Sequence, residues 1–226
     1  MKRLLTFAAI AMIGAACART PASTTVSGEG ISPDDCATGF PPGRWQVTHA
    51  LVFTAPFGNT AQLIGVSVVD AKARRFDCAL MTIEGLILFS GRYEGRAVVD
   101  RALPPMDRRG FAEGLMSDLK LLFFPPSAPL LGAARTTDGN RICRYGRPGG
   151  PRTDLKLTTD GWELFRYGEA ARLERTLKAV YSPGPQPSPG GRFADHVVLE
   201  AHGAAGYTID MALLEAVPLP PESLRQ

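Results

Sequence analysis

The hydrophobic pattern changes period twice along the 226 residues. From residue 44 onward, apolar and polar positions alternate in short runs, the period of half-buried strands. The runs Trp45–Ala55, Ala61–Ala71, Arg75–Ile83, Leu86–Tyr93 and Ala97–Arg101 are separated by brief turn signals such as Ala73-Arg74, Glu84-Gly85 and Glu94-Gly95. Gaps this short allow hairpins between antiparallel neighbours and leave no room for crossover helices. The pattern predicts a meander.

Pro104-Pro105 ends that pattern, and Asp107 is placed to cap a helix. Phe111, Leu115, Leu119 and Leu122 then recur at helical spacing, with Met116 and Phe123 beside them, until Pro125-Pro126 stops the helix. After a short apolar piece, Pro129–Ala133, strands resume: Arg141–Tyr145, Leu155–Thr158, Trp162–Tyr167, Arg172–Tyr181, Phe193–His202 and Tyr207–Glu215. In the last of these Tyr207, Ile209, Met211 and Leu213 share a face, opposite Thr208 and Asp210. The pattern predicts a mainly β fold, a curved antiparallel sheet of about eleven strands with one apolar face. One helix is too narrow to cover that face, so the sheet curls on itself or leaves part of its inner side for something else.

The N-terminus changes the picture. Met1-Lys2-Arg3, an apolar run from Leu4 to Ile13 and Gly14-Ala15-Ala16 before Cys17 have the form of a secretory signal peptide over residues 1–16. The run is too short for a bilayer span, which takes about 20 residues. A Cys directly after small residues is similar to a bacterial lipobox, which makes Cys17 the expected lipidation site. The alternative is an ordinary secreted protein cut nearby. Residues 17–42, rich in Ser, Thr, Gly, Pro and Asp, are expected to form a flexible tether. The β domain is expected over 43–217, with a tail at 218–226. A Pro/Gly-rich connection from Ser182 to Gly191 is expected to be a surface loop.

Charge and chemistry add mainly exclusions. The formal net charge is +3, and without Lys2 and Arg3 it is +1, so there is no basic stripe for nucleic acid. Beyond Cys17, the residues Cys36, Cys78 and Cys143 allow one disulfide in three pairings. His49, His196 and His202 form no HExxH and no Cys forms CxxC, so no metal and no cofactor is expected. No GxSxG, P-loop or Rossmann glycine pattern is present, and no catalytic residue is assigned. The basic clusters Lys72–Arg75 and Arg108-Arg109 read as solvated turns rather than phosphate sites.

Three stretches carry a family resemblance: Leu80–Phe89, the segment Gly91-Arg92-Tyr93-Glu94-Gly95, and the helix run from Phe111 to Pro125. Together with the order of elements, they resemble the LolA/LolB-like lipoproteins grouped as DUF3261, and more distantly the outer-membrane lipoprotein receptor LolB. That resemblance implies a half-open antiparallel β-barrel with a helical lid over an apolar cavity for acyl chains. It also implies a lipid anchor on the periplasmic face of the outer membrane and, as partners, lipid or lipoprotein acyl chains and envelope transport proteins. In LolB a turn between the third and fourth strands presents an apolar residue just before a Gly and helps push cargo into the membrane. The matching turn here is Ile83-Glu84-Gly85-Leu86. A carboxylate costs several kcal/mol to bury in hydrocarbon, so Ile83, Leu86 or Ile87 would have to supply the apolar tip.

Two functions follow as expectations. The first is a carrier or acceptor whose cavity is lined by Leu115, Met116, Leu119 and Phe123 from the helix, and by Phe165, Tyr207, Ile209, Met211 and Leu213 from the sheet. The second is a structural or assembly lipoprotein with a filled core that binds another envelope protein. An enzyme is the weakest reading.

Overall fold

Strand Arg44–Thr54 (β1) turns the alternating pattern into structure: Val47, His49, Leu51 and Phe53 are buried on one face, and Val52 is exposed on the other. Thr60–Asp70 (β2) repeats this with Leu63, Ser67 and Val69. Arg75–Met81 (β3), Ile87–Glu94 (β4) and Arg96–Ala102 (β5) complete the first meander. Helix Phe111–Phe123 (α1) follows. The second meander comprises Leu130–Arg135 (β6), Arg141–Gly146 (β7), Arg152–Leu157 (β8), Gly161–Tyr167 (β9), Leu173–Val180 (β10), His196–Ala201 (β11) and Tyr207–Pro218 (β12). The structure is a computed structural model, and it describes residues 31–56, 58–108, 110–182, 193–203 and 206–220.

All twelve strands lie in one antiparallel sheet, ordered β5-β4-β3-β2-β1-β12-β11-β10-β9-β8-β7-β6. The first and last strands therefore pair at its centre, from Trp45 opposite Pro218 to Thr54 opposite Thr208. The two edges, β5 and β6, are consecutive in sequence and joined through α1, but they do not pair with each other. Register shifts at Thr48/His49, Leu80/Met81, Ser90/Gly91, Leu130/Gly132 and Leu173/Arg175 bend the strands. The result is a half-open sheet with one helix packed on its inner face.

Helix α1 touches both halves. Phe111 meets Phe53 of β1 and Tyr207 of β12, with ring centroids 5.8 and 5.4 Å apart. Phe123 meets Phe76 of β3 at 5.7 Å. On β4, Gly91 makes room for the helix. A Cβ there would lie 2.8 Å from the Val98 carbonyl oxygen and 3.2 Å from Met116 Sδ.

The expected half-open sheet of about eleven strands is observed with twelve: the piece expected as Pro129–Ala133 overlaps β6, whose Gly132-Ala133-Ala134 shows no alternation to read. Two expectations need correction. Asp107 does not cap α1. The N-cap is Gly110, at φ +78°, which has no side chain to cap with. Finally, residues 31–42 belong to the folded body. A 3-10 turn at Asp34–Cys36 carries the disulfide Cys36–Cys143 to β7, and Phe40 packs on Trp162 at 5.4 Å. A few apolar side chains in a polar segment were enough to dock it. Residues 1–30, with Cys17, and 183–192 lie outside the described residues.

Candidate functional site

The site is the seam between α1 and the inner face of the sheet. Of the expected residues, Leu115, Leu119, Ile209 and Met211 meet there. With Leu51, Phe53, Leu63, Leu80, Met106 and Phe111 they line a crevice in which every side chain is apolar. Its volume is about 30 Å³, roughly the share of one water molecule in the liquid. Ligand pockets run to about 300–1,000 Å³. The hollow is therefore filled by the protein's own side chains.

The other expected residues divide. Met116 is fully buried against the Cys78 thiol, with sulfurs 3.7 Å apart. Phe123 is buried in the aromatic cluster with Phe76. Phe165 and Leu213 are half-buried and stand outside the core cluster. Phe165 alternates with the buried Trp162 and Leu164 and so falls on the opposite parity of β9.

Tyr207 has a second role that its place on the apolar face concealed. Its hydroxyl donates to Asp118 Oδ2, and Arg175 Nε donates to Asp118 Oδ1 at 2.7 Å. Asp118 is 2 % exposed and lies midway along α1. Burial pushes its carboxyl above the ordinary range despite the opposing pull of Arg175 and Tyr207. Arg166 of β9 adds a longer bond from Nη1 to Ser117 Oγ, 3.4 Å. The helix is thus held to β9, β10 and β12 by a polar clasp within an otherwise apolar seam. The sequence did carry a signal for it: Asp118 falls on the Phe111-Leu115-Leu122 face, where a carboxylate needs a partner.

The turn between β3 and β4 is tight. Gly85 N–H donates to the Thr82 carbonyl at 3.0 Å, and Thr82 N–H to the Leu86 carbonyl at 2.9 Å. Gly85 sits at φ +89°, a conformation that favours glycine. Ile83 is 68 % exposed and Leu86 52 %, on either side of Glu84. A hydrogen bond from Thr82 holds the Glu84 carboxyl below the usual carboxylate range. In the Lys72–Arg75 cluster, Arg74 donates to the Pro125 carbonyl at 2.8 Å and stacks over Phe124, and Arg75 pairs with Asp70 at 3.6 Å.

A half-open antiparallel sheet with a helix across its inner face has a counterpart among solved structures. A LolA-superfamily protein from Nitrosomonas europaea is similar over 87 % of this chain and 98 % of its own, at a TM-score of 0.56 and 9 % identity. The chain has a LolA-like fold. A domain named for outer membrane lipoprotein sorting, from Vibrio parahaemolyticus, is similar over 80 % of this chain and 88 % of its own, at a TM-score of 0.47 and 10 % identity. No protein-family model matches the sequence, and no curated protein does.

Proposed function

We propose that this LolA-like protein is a lipoprotein of the bacterial envelope, lipidated at Cys17, held at the periplasmic face of the outer membrane and tethered through the residues before 31. It takes up the acyl chain of a lipid or lipoprotein between α1 and the sheet. The all-apolar lining of the crevice beneath Phe111, Leu115 and Leu119 carries this reading. The resemblance of the 80–95 and 111–125 stretches to DUF3261 lipoproteins supports it, and no step requires catalytic chemistry.

A crevice this small sets the mechanism: α1 must lift before cargo enters. The exposed Ile83 and Leu86 would meet the membrane first, with Glu84 held in the headgroup layer.

The filled interior favours a second reading, a structural lipoprotein that binds another envelope protein through its surface. Titration of the full chain with a fluorescent fatty acyl probe separates the two. The carrier predicts saturable binding at micromolar protein, competed by long-chain lipids. No binding at tens of micromolar would leave the structural reading.

A further inference from the structure

A cavity of about 270 Å³ lies apart from the crevice. It lies on the other flank of α1, against β7, β8 and β9, and its charged lining is entirely cationic: Lys120, Arg152 and Arg166. Ser117, Ser127 and Thr153 add hydroxyls, while Leu121, Phe124 and Pro151 supply an apolar part. No Asp or Glu lines it.

Arg152 is the informative residue. Its Nε–H is shut off from solvent and has no hydrogen-bond partner among the described residues. The nearest paired carboxylate oxygen, Asp154 Oδ2, is 3.8 Å away and already accepts from Arg144 at 2.9 Å. The guanidinium carbon lies over the Tyr167 ring, 4.3 Å from its centroid. Among the described residues Arg166 has distant partners, Glu174 at 3.8 Å and Ser117 at 3.4 Å. Lys120 lies over the Tyr93 ring at 5.2 Å and has no carboxylate partner among the described residues. A buried guanidinium donor without an acceptor costs free energy that a native structure normally avoids. The cavity wall beside Arg152 therefore gathers three cationic side chains and no carboxylate.

We propose that this cavity binds a phosphate ester, with Arg152 and Arg166 as its principal ligands and Lys120 at the rim. Arginine forks match tetrahedral phosphate oxygens, and planar guanidinium groups lose little freedom in binding. The carbonyls ending α1 oppose an anion with about half an elementary charge, against three cationic side chains, two of which have a carboxylate 3.8 Å away, Asp154 beside Arg152 and Glu174 beside Arg166. The volume lies just under the range of drug-sized pockets, so it suits a head group or a small phosphate rather than a whole lipid. The site stands apart from the acyl crevice and does not rest on it.

The test is calorimetric titration of the full chain carrying Cys17→Ala with four probes: inorganic phosphate, dihexanoyl phosphatidic acid below its micelle threshold, dihexanoylglycerol and acetate. Both phosphate probes bind if the free anion is the ligand, and phosphatidic acid binds far more tightly if a lipid head group is. Arg152→Gln weakens either by about tenfold, the loss of one charge-assisted pair, and Arg152→Lys recovers part of it. Arg166→Gln gives the same direction, and an unchanged melting temperature shows that the variants fold. Absence of phosphate binding at 10 mM, acetate binding as tight as phosphate, or indifference to both arginine substitutions would overturn the proposal. Dihexanoylglycerol, which lacks phosphate, reports on the acyl crevice, so the two sites can fail separately.

Discussion

His49 shows what burial does to a single titratable side chain. It lies on the inner face of β1, in a cavity with Leu122, Phe123 and Trp162, and desolvation pushes its pKa down to about 4. His196 and His202 are instead bonded near the surface, to Asp210 at 2.7 Å and Thr176 at 2.8 Å. Below about pH 6.5 the unfolded chain takes up a proton at residue 49 that the folded chain refuses until about pH 4. His49 therefore contributes stability above that window and loses it as the pH falls, by about 3 kcal/mol at the bottom. Asp118 acts with the opposite sign, because its raised carboxyl lets the folded chain hold a proton more readily. A comparison with His49→Leu isolates the histidine. Urea midpoints at pH 7 and pH 4 should show the parent chain losing about 3 kcal/mol more than the variant.

Helix α1 and its clasp belong to the scale of elements. Arg175→Met leaves the Asp118 carboxylate buried beside Tyr207 alone, at a cost of about 3–5 kcal/mol. Replacing the whole cluster, Asp118→Leu with Arg175→Met and Tyr207→Phe, removes the unpaired charge and should return stability to within about 1 kcal/mol of the parent. Denaturant unfolding of both variants tests this. A triple variant as unstable as the single one would show that the cluster is required for packing and does not act as a clasp. The helix itself was legible, since Phe111, Leu115, Leu119 and Leu122 keep helical spacing between prolines. Most strands were legible too, because one wet face keeps alternation clean. Edge strand β6 was not, since its Gly and Ala carry no polarity to alternate. Nor was the docked segment 31–42, where Cys36 and Phe40 act through distant partners at Cys143 and Trp162. The cationic cavity is invisible to any local pattern. Lys120, Arg152 and Arg166 come from α1, β8 and β9, and only the order of the sheet gathers them.

On the scale of the molecule, the sheet is two meanders joined at β1 and β12, and the N-terminal segment ties into the second of them. The Cys36–Cys143 bond spans 107 residues, so the loop it closes holds the whole first meander, α1 and β6. Closing a loop of about 100 residues removes unfolded-state entropy worth about 4–5 kcal/mol, a large share of a typical stability of 5–15 kcal/mol. Cys78 cannot substitute for either partner. Its thiol is buried against the Gly91 carbonyl and Met116, and burial pushes its pKa up to about 12, which suppresses the thiolate needed for exchange. The double variant Cys36→Ser, Cys143→Ser should therefore lose about 4 kcal/mol in guanidinium unfolding. The parent chain should lose the same amount when unfolded in the presence of dithiothreitol, while the variant should be indifferent to the reductant. A loss below about 1 kcal/mol would mean that the segment around Cys36 stays docked through Phe40 and Trp162 alone, and that the bond adds little to joining the two halves.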